Sequence, residues 1–443
     1  MSTAAMPEFP AGFRWGVSTS AYQIEGGVDE DGRGASIWDT FAHSPGRIAD
    51  GSTGDVACDH FHRHAEDVAL LAGLGVSAYR FSIAWPRVRP TGDGPVDPRG
   101  LDFYDRLVDD LLAHGVDPVA TLFHWDLPQS LEDAGGWLNR DTAHRFAEYA
   151  DATAARLGDR VKLWITLNEP FIHMSLGHGT GEHAPGRTLL FDAFPVAHHQ
   201  LLAHGLAVAA LRARTASPVA IANNYSPVRP AGDAAADRAA AAAYEALHNR
   251  LFTDPLFGRG YPAELGFDTA VVRAGDLDVI AAPIDVLGVN YYNPTGVRAP
   301  AEGSPLPFEF VPLDGYPRTA FDWPVAPDGL HELLGWLHRT YADDLPPIQI
   351  TESGCAYDDA PDADGRVHDP QRIAYLDGHL RAVRAAMAEG VDVTGYFVWS
   401  LLDNWEWAEG FTKRFGLVHV DFDTQLRTPK SSYAWLRDLI ARP

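Results

Sequence analysis

The stretch Leu163-Trp164-Ile165-Thr166-Leu167-Asn168-Glu169-Pro170 contains the sequence pattern of one β-strand together with its end. Its first five residues form an apolar run rich in β-branched and aromatic side chains, which predicts a strand. Proline cannot donate a hydrogen bond to a neighbouring strand, so Pro170 ends the run and leaves Glu169 at the carboxyl end. Runs of this kind recur along the whole chain.

Eight such runs alternate with longer segments that have helical periodicity. The predicted strands are Phe13–Ala21, Ala78–Ile83, Pro118–Phe123, Lys162–Asn168, Val219–Asn223, Val286–Tyr292, Pro347–Glu352 and Val393–Leu401. The predicted helices are Asp59–Gly73, Leu101–His114, Asp141–Leu157, Ala193–Ala213, Asp237–Phe252, Leu330–Tyr341, Pro370–Glu389 and Ser431–Ala441. Eight strand–helix units in regular alternation predict an α/β fold, a (β/α)8 TIM barrel, instead of several domains. We expect residues 1–443 to form this single catalytic domain, with residues 1–8 as a disordered N-terminal tail.

The lengths of the connections predict where the functional site lies. Helix-to-strand connections such as Gly73-Leu74-Gly75 are short. The long strand-to-helix connections are Tyr22–Cys58, Glu169–Asp192, Asn293–Pro327 and Leu402–Pro429. Barrel enzymes build their active sites from the loops that follow the strands, so we expect these loops to form the active-site rim. Within them, Ala299–Arg318 is rich in Pro and Gly and is predicted to be a mobile surface loop.

Composition excludes several classes of protein. With 35 Lys and Arg against 60 Asp and Glu, the chain has a formal net charge of −25 and would repel nucleic acids and anionic membranes. No apolar run reaches the ~18 residues of a membrane span. Met1–Pro10 lacks the basic and apolar parts of a signal peptide. Two cysteines, Cys58 and Cys355, cannot form a disulfide framework, which predicts a cytoplasmic protein.

Two glutamates stand at equivalent strand ends. Glu169 ends the fourth predicted strand, and Glu352 ends the seventh, where Ser353-Gly354 follows. A single glutamate at a strand end is usually a solvated carboxylate. Two that are brought together at the functional rim perturb each other, so that one stays charged and the other keeps its proton near neutral pH. Glycoside hydrolysis needs this division of roles.

The residues around both glutamates resemble the motifs of glycoside hydrolase family 1, the β-glucosidase family. Thr166-Leu167-Asn168-Glu169-Pro170 resembles its acid/base motif, and Ile350-Thr351-Glu352-Ser353-Gly354 its nucleophile motif. Further stretches resemble other signatures of the family, in the right order: Phe13–Gly16, Ala21–Gly26, Tyr79–Arg87, Phe123–Pro128 and Trp399–Trp407. The likeness covers almost the whole chain.

Three positions depart from the family pattern. Ser353 stands where the family usually has Asn, and Trp405 where it usually has Phe. Around Asn223-Asn224-Tyr225 the match is looser, on the side that would receive the leaving group. None of the departures removes a carboxylate.

The resemblance implies a retaining, two-step mechanism without a cofactor. Glu352 would be the ionised nucleophile, held in place by Arg80 and Tyr292. Glu169 would enter protonated, give its proton to the leaving oxygen, and then act as a base toward water. Retention places the two carboxyl groups about 5–5.5 Å apart, and Asn168 would contact the sugar 2-hydroxyl.

The resemblance also implies how a small β-glycoside is bound. The expected sugar-binding residues are Gln23, His124, Trp125, Asn168, Asn290, Tyr292, Trp399, Glu406 and Trp407. Trp399 would stack on the sugar, whereas Trp405 is expected to belong to the core. Family members that act on 6-phosphorylated sugars replace the residue equivalent to Glu406 with a small one, so Glu406 favours unphosphorylated glycosides. Breakdown of cellulose-derived oligosaccharides would fit this specificity.

Histidine and cysteine patterns carry less weight. On a helix, only His60 and His64 of Asp59–His64 share a face, so we expect no metal site there. His198, His199 and His204 are interpreted as a helix face. Cys355, close to Glu352, is expected to be a buried inert thiol.

Other functions remain open at this stage. The scaffold could be a silent sugar-binding protein, although both carboxylates are present. A β-galactosidase, a β-fucosidase or a transglycosidase of the same family would use the same residues. A metal-dependent sugar isomerase barrel would need clustered Asp, Glu and His at several strand ends. The natural aglycone and the oligomeric state cannot be deduced from the sequence.

Overall fold

Eight parallel strands close into a barrel in the computed structural model, which describes residues 8–267 and 269–442. The strands are β1 (Arg14–Ser18), β2 (Ala78–Ser82), β3 (Asp117–Phe123), β4 (Leu163–Asn168), β5 (Val219–Asn224), β6 (Val286–Asn290), β7 (Ile348–Ser353) and β8 (Val393–Trp399). Strands consecutive in this series are hydrogen-bonded neighbours, and β8 pairs with β1 to close the barrel. All eight predicted strands and the (β/α)8 fold are confirmed. The largest shift is at β1, which ends at Ser18 because a short helix begins at Ala21.

The long helices lie outside the barrel. They are α1 (His60–Leu74), α2 (Pro98–Ala113), α3 (Asp141–Leu157), α4 (Phe194–Arg212), α5 (Ala235–Glu245), α6 (Pro327–Tyr341), α7 (Pro370–Ala388) and α8 (Ser431–Ile440). Seven match the predicted segments closely. The predicted helix Asp237–Phe252 differs, because α5 passes into a π-helical turn at Ala246–Arg250. Within that turn, the side chain of Asn249 hydrogen-bonds the backbone of Ser226, which ties the turn to the end of β5.

The interior of the barrel is filled by small and medium apolar side chains around one large ring. These residues are Ala78, Val119, Leu163, Ile165, Ala220, Ala222, Val286 and Phe397. The ring of Phe397 from β8 lies against Gly16 of β1, where an added Cβ atom would be 2.2 Å from Phe397 Cδ1. Gly16 is therefore required by the close approach of this ring.

The long connections at the carboxyl end carry their own secondary structure. Val228–Pro230, Thr295–Arg298 and Glu309–Val311 form one small sheet, and Val418–Val420 pairs with Arg427–Pro429. The expectation of a mobile loop over Ala299–Arg318 is therefore wrong for its Glu309–Val311 part. The carboxylate of Glu309 also accepts hydrogen bonds from the Arg298 side chain and the Ala301 amide, which fixes this turn.

The predicted N-terminal tail is only partly open to comparison, since residues 1–7 lie outside the described part of the chain. Glu8 is described, and its carbonyl accepts a hydrogen bond of 2.7 Å from Arg384 Nε on α7. No helix within residues 8–267 and 269–442 has the length and apolar character needed to cross a membrane.

The contact between Gly16 and Phe397 gives a prediction for stability. Gly16→Ala should lower the free energy of unfolding by about 1–3 kcal/mol, because the new methyl group must displace the Phe397 ring inside a packed barrel. Urea denaturation of the purified variant measures the change. Gly232→Ala is the matched control, since an added Cβ atom there would meet only the Asp237 side chain, at 3.3 Å. Equal stability of both variants would contradict this description of the core.

Candidate active site

A cavity of about 700 Å³ opens at the carboxyl end of the barrel, and we call it the catalytic cleft. The predicted site residues that line it are His124, Trp125, Glu169, Tyr292, Glu352, Trp399, Glu406 and Trp407. Three other predicted residues donate hydrogen bonds to these carboxylates from behind: Gln23, Arg80 and Asn290. Asn168 is connected to them through Arg80, whose Nη2 donates to Asn168 Oδ1. The structure thus brings all the predicted site residues together. Each of them either lines the cleft or is connected to a cleft residue by one or more hydrogen bonds.

Glu352 is the carboxylate that contacts a cation. Arg80 Nη1 donates to Glu352 Oε1 at 2.5 Å, and the Tyr292 hydroxyl donates to Oε2 at 2.7 Å. All three side chains are largely removed from solvent, and burial raises the pKa of Glu352 whereas Arg80 and Tyr292 lower it. The guanidinium and the hydroxyl present only donors to Glu352, so this carboxylate is the one suited to hold the negative charge.

Glu169 has neutral partners. It follows β4 in a left-handed backbone conformation, with φ of +44°, immediately before the short helix Pro170–Ile172. Asn290 Nδ2 and Asn224 Nδ2 donate to Glu169 Oε1 at 2.9 and 3.0 Å. Burial and the nearby charge of Glu352 raise the pKa of Glu169 to about 8. Glu169 is therefore suited to carry a proton at neutral pH.

Asn168 connects the two sides of the site. Its Oδ1 accepts from Arg80 Nη2 at 2.5 Å and from Asn290 Nδ2 at 3.0 Å, which leaves Nδ2 to donate to His124 Nε2 at 3.0 Å. The indole of Trp125 donates to the Asn168 carbonyl at 2.8 Å. Because His124 Nε2 accepts, the ring proton of neutral His124 lies on Nδ1, which is buried and has no partner among the described residues.

Gln23 and Glu406 form a second polar pair. Gln23 Nε2 donates to Glu406 Oε2 at 3.1 Å and to the Trp405 carbonyl at 3.0 Å. Ser20 Oγ donates to Gln23 Oε1 at 2.7 Å, which fixes the orientation of the Gln23 amide. Desolvation in the cleft raises the pKa of Glu406 to about 8, and the charges of the other two glutamates act in the same direction.

Aromatic rings form the walls of the cleft. The Trp399 ring lies 5.8 Å from the His124 ring at an interplanar angle of 30°, and the Trp407 ring lies 4.6 Å from that of Trp125. Trp405 is fully buried and its indole donates to Ser52 Oγ, which agrees with the prediction that it belongs to the core. At the rim, the rings of Phe321 and Trp323 stack at 4.4 Å.

Sequence reasoning missed three features of the cleft. Asn224 and His248 support Glu169, and Phe321 with Trp323 lines the rim. Asn224 could have been predicted as a site residue, because it comes directly after the end of a predicted strand. His248 lies in the π-helical turn and gave no signal, because that turn was predicted as ordinary helix.

The histidine and cysteine patterns that were not predicted to be functional have structural surroundings. His60 Nδ1 lies 2.8 Å from Asp67, which also binds Arg427. Within the described ranges, no group of three or more His, Cys, Asp or Glu side chains is arranged to hold a metal ion. Cys58 and Cys355 are unpaired and buried, and burial raises the pKa of the Cys355 thiol to about 12.

The contact between Tyr292 and Glu352 predicts a change in pH dependence. Tyr292→Phe removes a donor that lowers the pKa of Glu352. If Glu352 must be ionised, the acidic limb of the profile of kcat/KM against pH should move to higher pH, measured with an aryl β-glucoside. Tyr375→Phe is the control, because the Tyr375 hydroxyl lies 3.2 Å from Ser353 Oγ instead of on a carboxylate. An unmoved acidic limb in Tyr292→Phe would contradict this role of the hydroxyl.

Known proteins with similar sequences and structures agree on one family. The model of glycosyl hydrolase family 1 matches residues 5–443. Thermostable β-glucosidase B of Thermobispora bispora is 51% identical over 443 residues, covering 98% of this chain and 91% of the relative. A bifunctional β-D-glucosidase/β-D-fucosidase of Bifidobacterium breve is 46% identical over 459 residues, covering 98% of each chain.

A solved structure has the same fold. The family 1 β-glucosidase of Thermotoga maritima in complex with isofagomine lactam superposes with a TM-score of 0.94 at 43% identity, covering 98% of this chain and 99% of that one. The family match over nearly the whole length, the closed barrel and the two glutamates lead to one conclusion: this chain belongs to glycosyl hydrolase family 1.

Proposed function

We propose that this family 1 enzyme is a retaining β-glucosidase in which Glu352 is the nucleophile and Glu169 the acid/base. The observation that carries the proposal is the unequal surroundings of the two carboxylates. Glu352 accepts from the Arg80 guanidinium, whereas Glu169 accepts only from the amides of Asn224 and Asn290. The charge is therefore favoured on Glu352 and the proton on Glu169, which is the protonation state that the first step requires.

In the first step, Glu352 attacks the anomeric carbon as the bond to the leaving oxygen breaks. Glu169 transfers its proton to that oxygen, so the aglycone departs as a neutral alcohol. The products of this step are a covalent glycosyl-enzyme and an ionised Glu169. The ester at Glu352 no longer carries a charge, so the main electrostatic cause of the raised pKa of Glu169 is removed.

In the second step, Glu169 acts as a base. It takes a proton from water as the water oxygen attacks the anomeric carbon, and Glu352 leaves as a carboxylate. Two displacements on the same carbon restore the β-configuration. The return of charge to Glu352 raises the pKa of Glu169 again and resets the pair for the next cycle.

The sugar-binding roles follow from the polar and aromatic side chains that line the cleft. His124 lies on the cleft wall beside the Trp399 ring, where it is placed to bind a sugar hydroxyl. Gln23 holds Glu406 at the side of the cleft formed by the loop after β8, where a carboxyl group can bind two adjacent hydroxyls. A phosphate placed beside Glu406 would face a carboxyl group, which favours unphosphorylated glucosides. Trp399 provides the apolar face that a pyranose ring needs.

Activity toward β-fucosides and β-galactosides is part of the proposal. The relative from Bifidobacterium breve is named as acting on both glucosides and fucosides. Short β-linked glucose oligosaccharides such as cellobiose are further candidate substrates and would connect the enzyme to cellulose breakdown.

We also propose that the whole chain acts as one catalytic domain. The two buried unpaired cysteines support a cytoplasmic location.

Replacement of the nucleophile tests the assignment. Glu352→Gly should reduce hydrolysis of an activated aryl β-glucoside by several orders of magnitude, and azide should restore turnover with formation of the α-glucosyl azide. NMR of the product identifies the anomer. Glu182→Gly, at an exposed glutamate on the cleft rim, is the control and should keep ordinary activity. Ordinary hydrolysis by Glu352→Gly would contradict the proposal, as would an α-anomer as the first product of the unaltered enzyme.

A substrate panel separates the remaining candidates. Comparison of kcat/KM for aryl β-glucoside, β-galactoside, β-fucoside and cellobiose should rank the glucoside at or near the top. A silent sugar-binding protein would release no aglycone from any of them. An isomerase of the metal-dependent class would lose its activity with EDTA, whereas we expect hydrolysis to be insensitive to the chelator.

A further inference from the structure

A buried histidine stands behind the acid/base residue. His248 lies in the π-helical turn after α5, and its ring is almost completely removed from solvent. Its Nε2 is 2.8 Å from Asn224 Oδ1, and its Nδ1 is 2.9 Å from the Tyr244 hydroxyl. The Phe171 ring packs against it at a centroid distance of 4.3 Å. Both ring nitrogens are thus engaged, and the ring has little freedom to rotate.

The protonation state of His248 is determined by its surroundings. Burial lowers its pKa to about 3, so the ring is neutral at any pH at which the enzyme would work. A neutral imidazole has one N–H and one acceptor nitrogen. Since an amide carbonyl oxygen can only accept, Nε2 carries the hydrogen and donates to Asn224. Nδ1 then accepts from the Tyr244 hydroxyl.

This tautomer fixes the orientation of the Asn224 amide. With Oδ1 held by His248, the amide must direct Nδ2 toward Glu169, and it donates to Oε1 at 3.0 Å. If the amide rotated by 180°, its oxygen would face the carboxylate, which is repulsive when Glu169 is charged. A donor at this position stabilises the ionised form of Glu169, the form that acts as base in the second step.

We propose that His248 is a positioning residue for the acid/base: through its Nε2–H it holds the Asn224 amide so that Nδ2 donates to Glu169. This inference rests on the proposed function, because it requires that Glu169 be the acid/base. It concerns the three-residue chain His248–Asn224–Glu169, which we call the amide relay. The Tyr244 hydroxyl supports the relay by donating to Nδ1 of this His248 tautomer.

Other groups also influence Glu169 and must stay unchanged in a test. Glu352 on β7 raises its pKa, Arg80 on β2 lowers it, and Asn290 on β6 donates to the same oxygen as Asn224. Tyr292, whose hydroxyl donates to Glu352, is also close enough to Glu169 for their charges to interact. The amide relay reaches Glu169 from the end of β5 and the π-helical turn after α5, whereas these groups lie on β2, β6 and β7 or, for Tyr292, just after β6. A variant at His248 should therefore change the donor from Asn224 and leave the other contacts in place.

The profile of kcat/KM against pH tests the amide relay. Its basic limb reports loss of the proton from Glu169 in the free enzyme. His248→Leu frees the Asn224 amide, removes a donor from the ionised form and should move the basic limb upward by roughly half to one pH unit. His248→Gln should bring the limb back toward its original position, because the glutamine Nε2 can donate to the same oxygen.

Two further variants keep the test decisive. Asn224→Leu should move the basic limb in the same direction, and His248→Leu in that background should add nothing further, since both act through one hydrogen bond. His379→Leu, at a buried histidine bound to the Tyr375 carbonyl on α7, controls for general destabilisation and should leave the limb in place. An unmoved limb in His248→Leu, or equal shifts with and without Asn224, would overturn the relay.

A separate variant distinguishes failure of the relay from failure of the proposed function. Glu169→Ala with an activated aryl β-glucoside should accept azide and form the β-glucosyl azide, as expected when the acid/base is absent and the nucleophile is intact. If this product forms while His248→Leu has no effect on the basic limb, the relay is wrong and the acid/base assignment stands. If it does not form, the assignment of Glu169 fails and the relay fails with it.

Discussion

The guanidinium of Arg80 is the group on which the rest of the site depends. It is fully buried in the middle of β2 and contacts three other strands. Nε donates to Thr121 Oγ1 of β3, Nη2 donates to Asn168 of β4, and Nη1 donates both to the Thr351 carbonyl and to Glu352 of β7. A buried cation without an anion would be strongly unfavourable, so Arg80 and Glu352 require each other. One interaction therefore fixes both the position of the nucleophile and the sign of its charge.

The properties of the other glutamate follow from that charge. Glu169 lies close enough to Glu352 for its pKa to be raised, yet its own hydrogen bonds come from neutral amides. A second cation beside Glu169 would hold it ionised and remove the acid. The site thus uses one arginine for two carboxylates, and the difference between acid and nucleophile arises from which of them that arginine touches. The amide relay adds a weaker contribution through the hydrogen bond from Asn224 to Glu169.

Much of this arrangement could be predicted from the sequence, because it depends on strand ends. Parallel strands in a barrel bring their carboxyl ends together, so the ends of the apolar runs before Glu169 and Glu352 were enough to place both residues at one rim. Asn290 and Tyr292 lie at or just beyond the end of β6, Arg80 lies in the middle of β2, and all three were predicted from the resemblance to the family. The strand bounds were also accurate, since composition changes sharply where each strand leaves the barrel.

The features that could not be predicted lie in the connections. His248 reaches Asn224 only because α5 widens into a π-helical turn, and helical periodicity does not distinguish such a turn from ordinary helix. The small sheet that includes Glu309–Val311 depends on pairing with Thr295–Arg298, which no local pattern revealed. Similarly, Phe321 and Trp323 belong to a Pro- and Gly-containing stretch whose path is determined by contacts with the loop after β8. Tertiary contacts, and not local sequence patterns, determine the conformation of these segments.

The central claim is that the charge on Glu352 acts together with burial to keep Glu169 protonated. The direct test is the pKa of Glu169, measured by NMR with ¹³C-labelled glutamate, in the unaltered enzyme and in Glu352→Gln. Glutamine keeps the size of the side chain and removes its charge. The account predicts a pKa near 8 in the unaltered enzyme, as burial and Glu352 require, and a clearly lower value in Glu352→Gln. The same pKa in both proteins would contradict it.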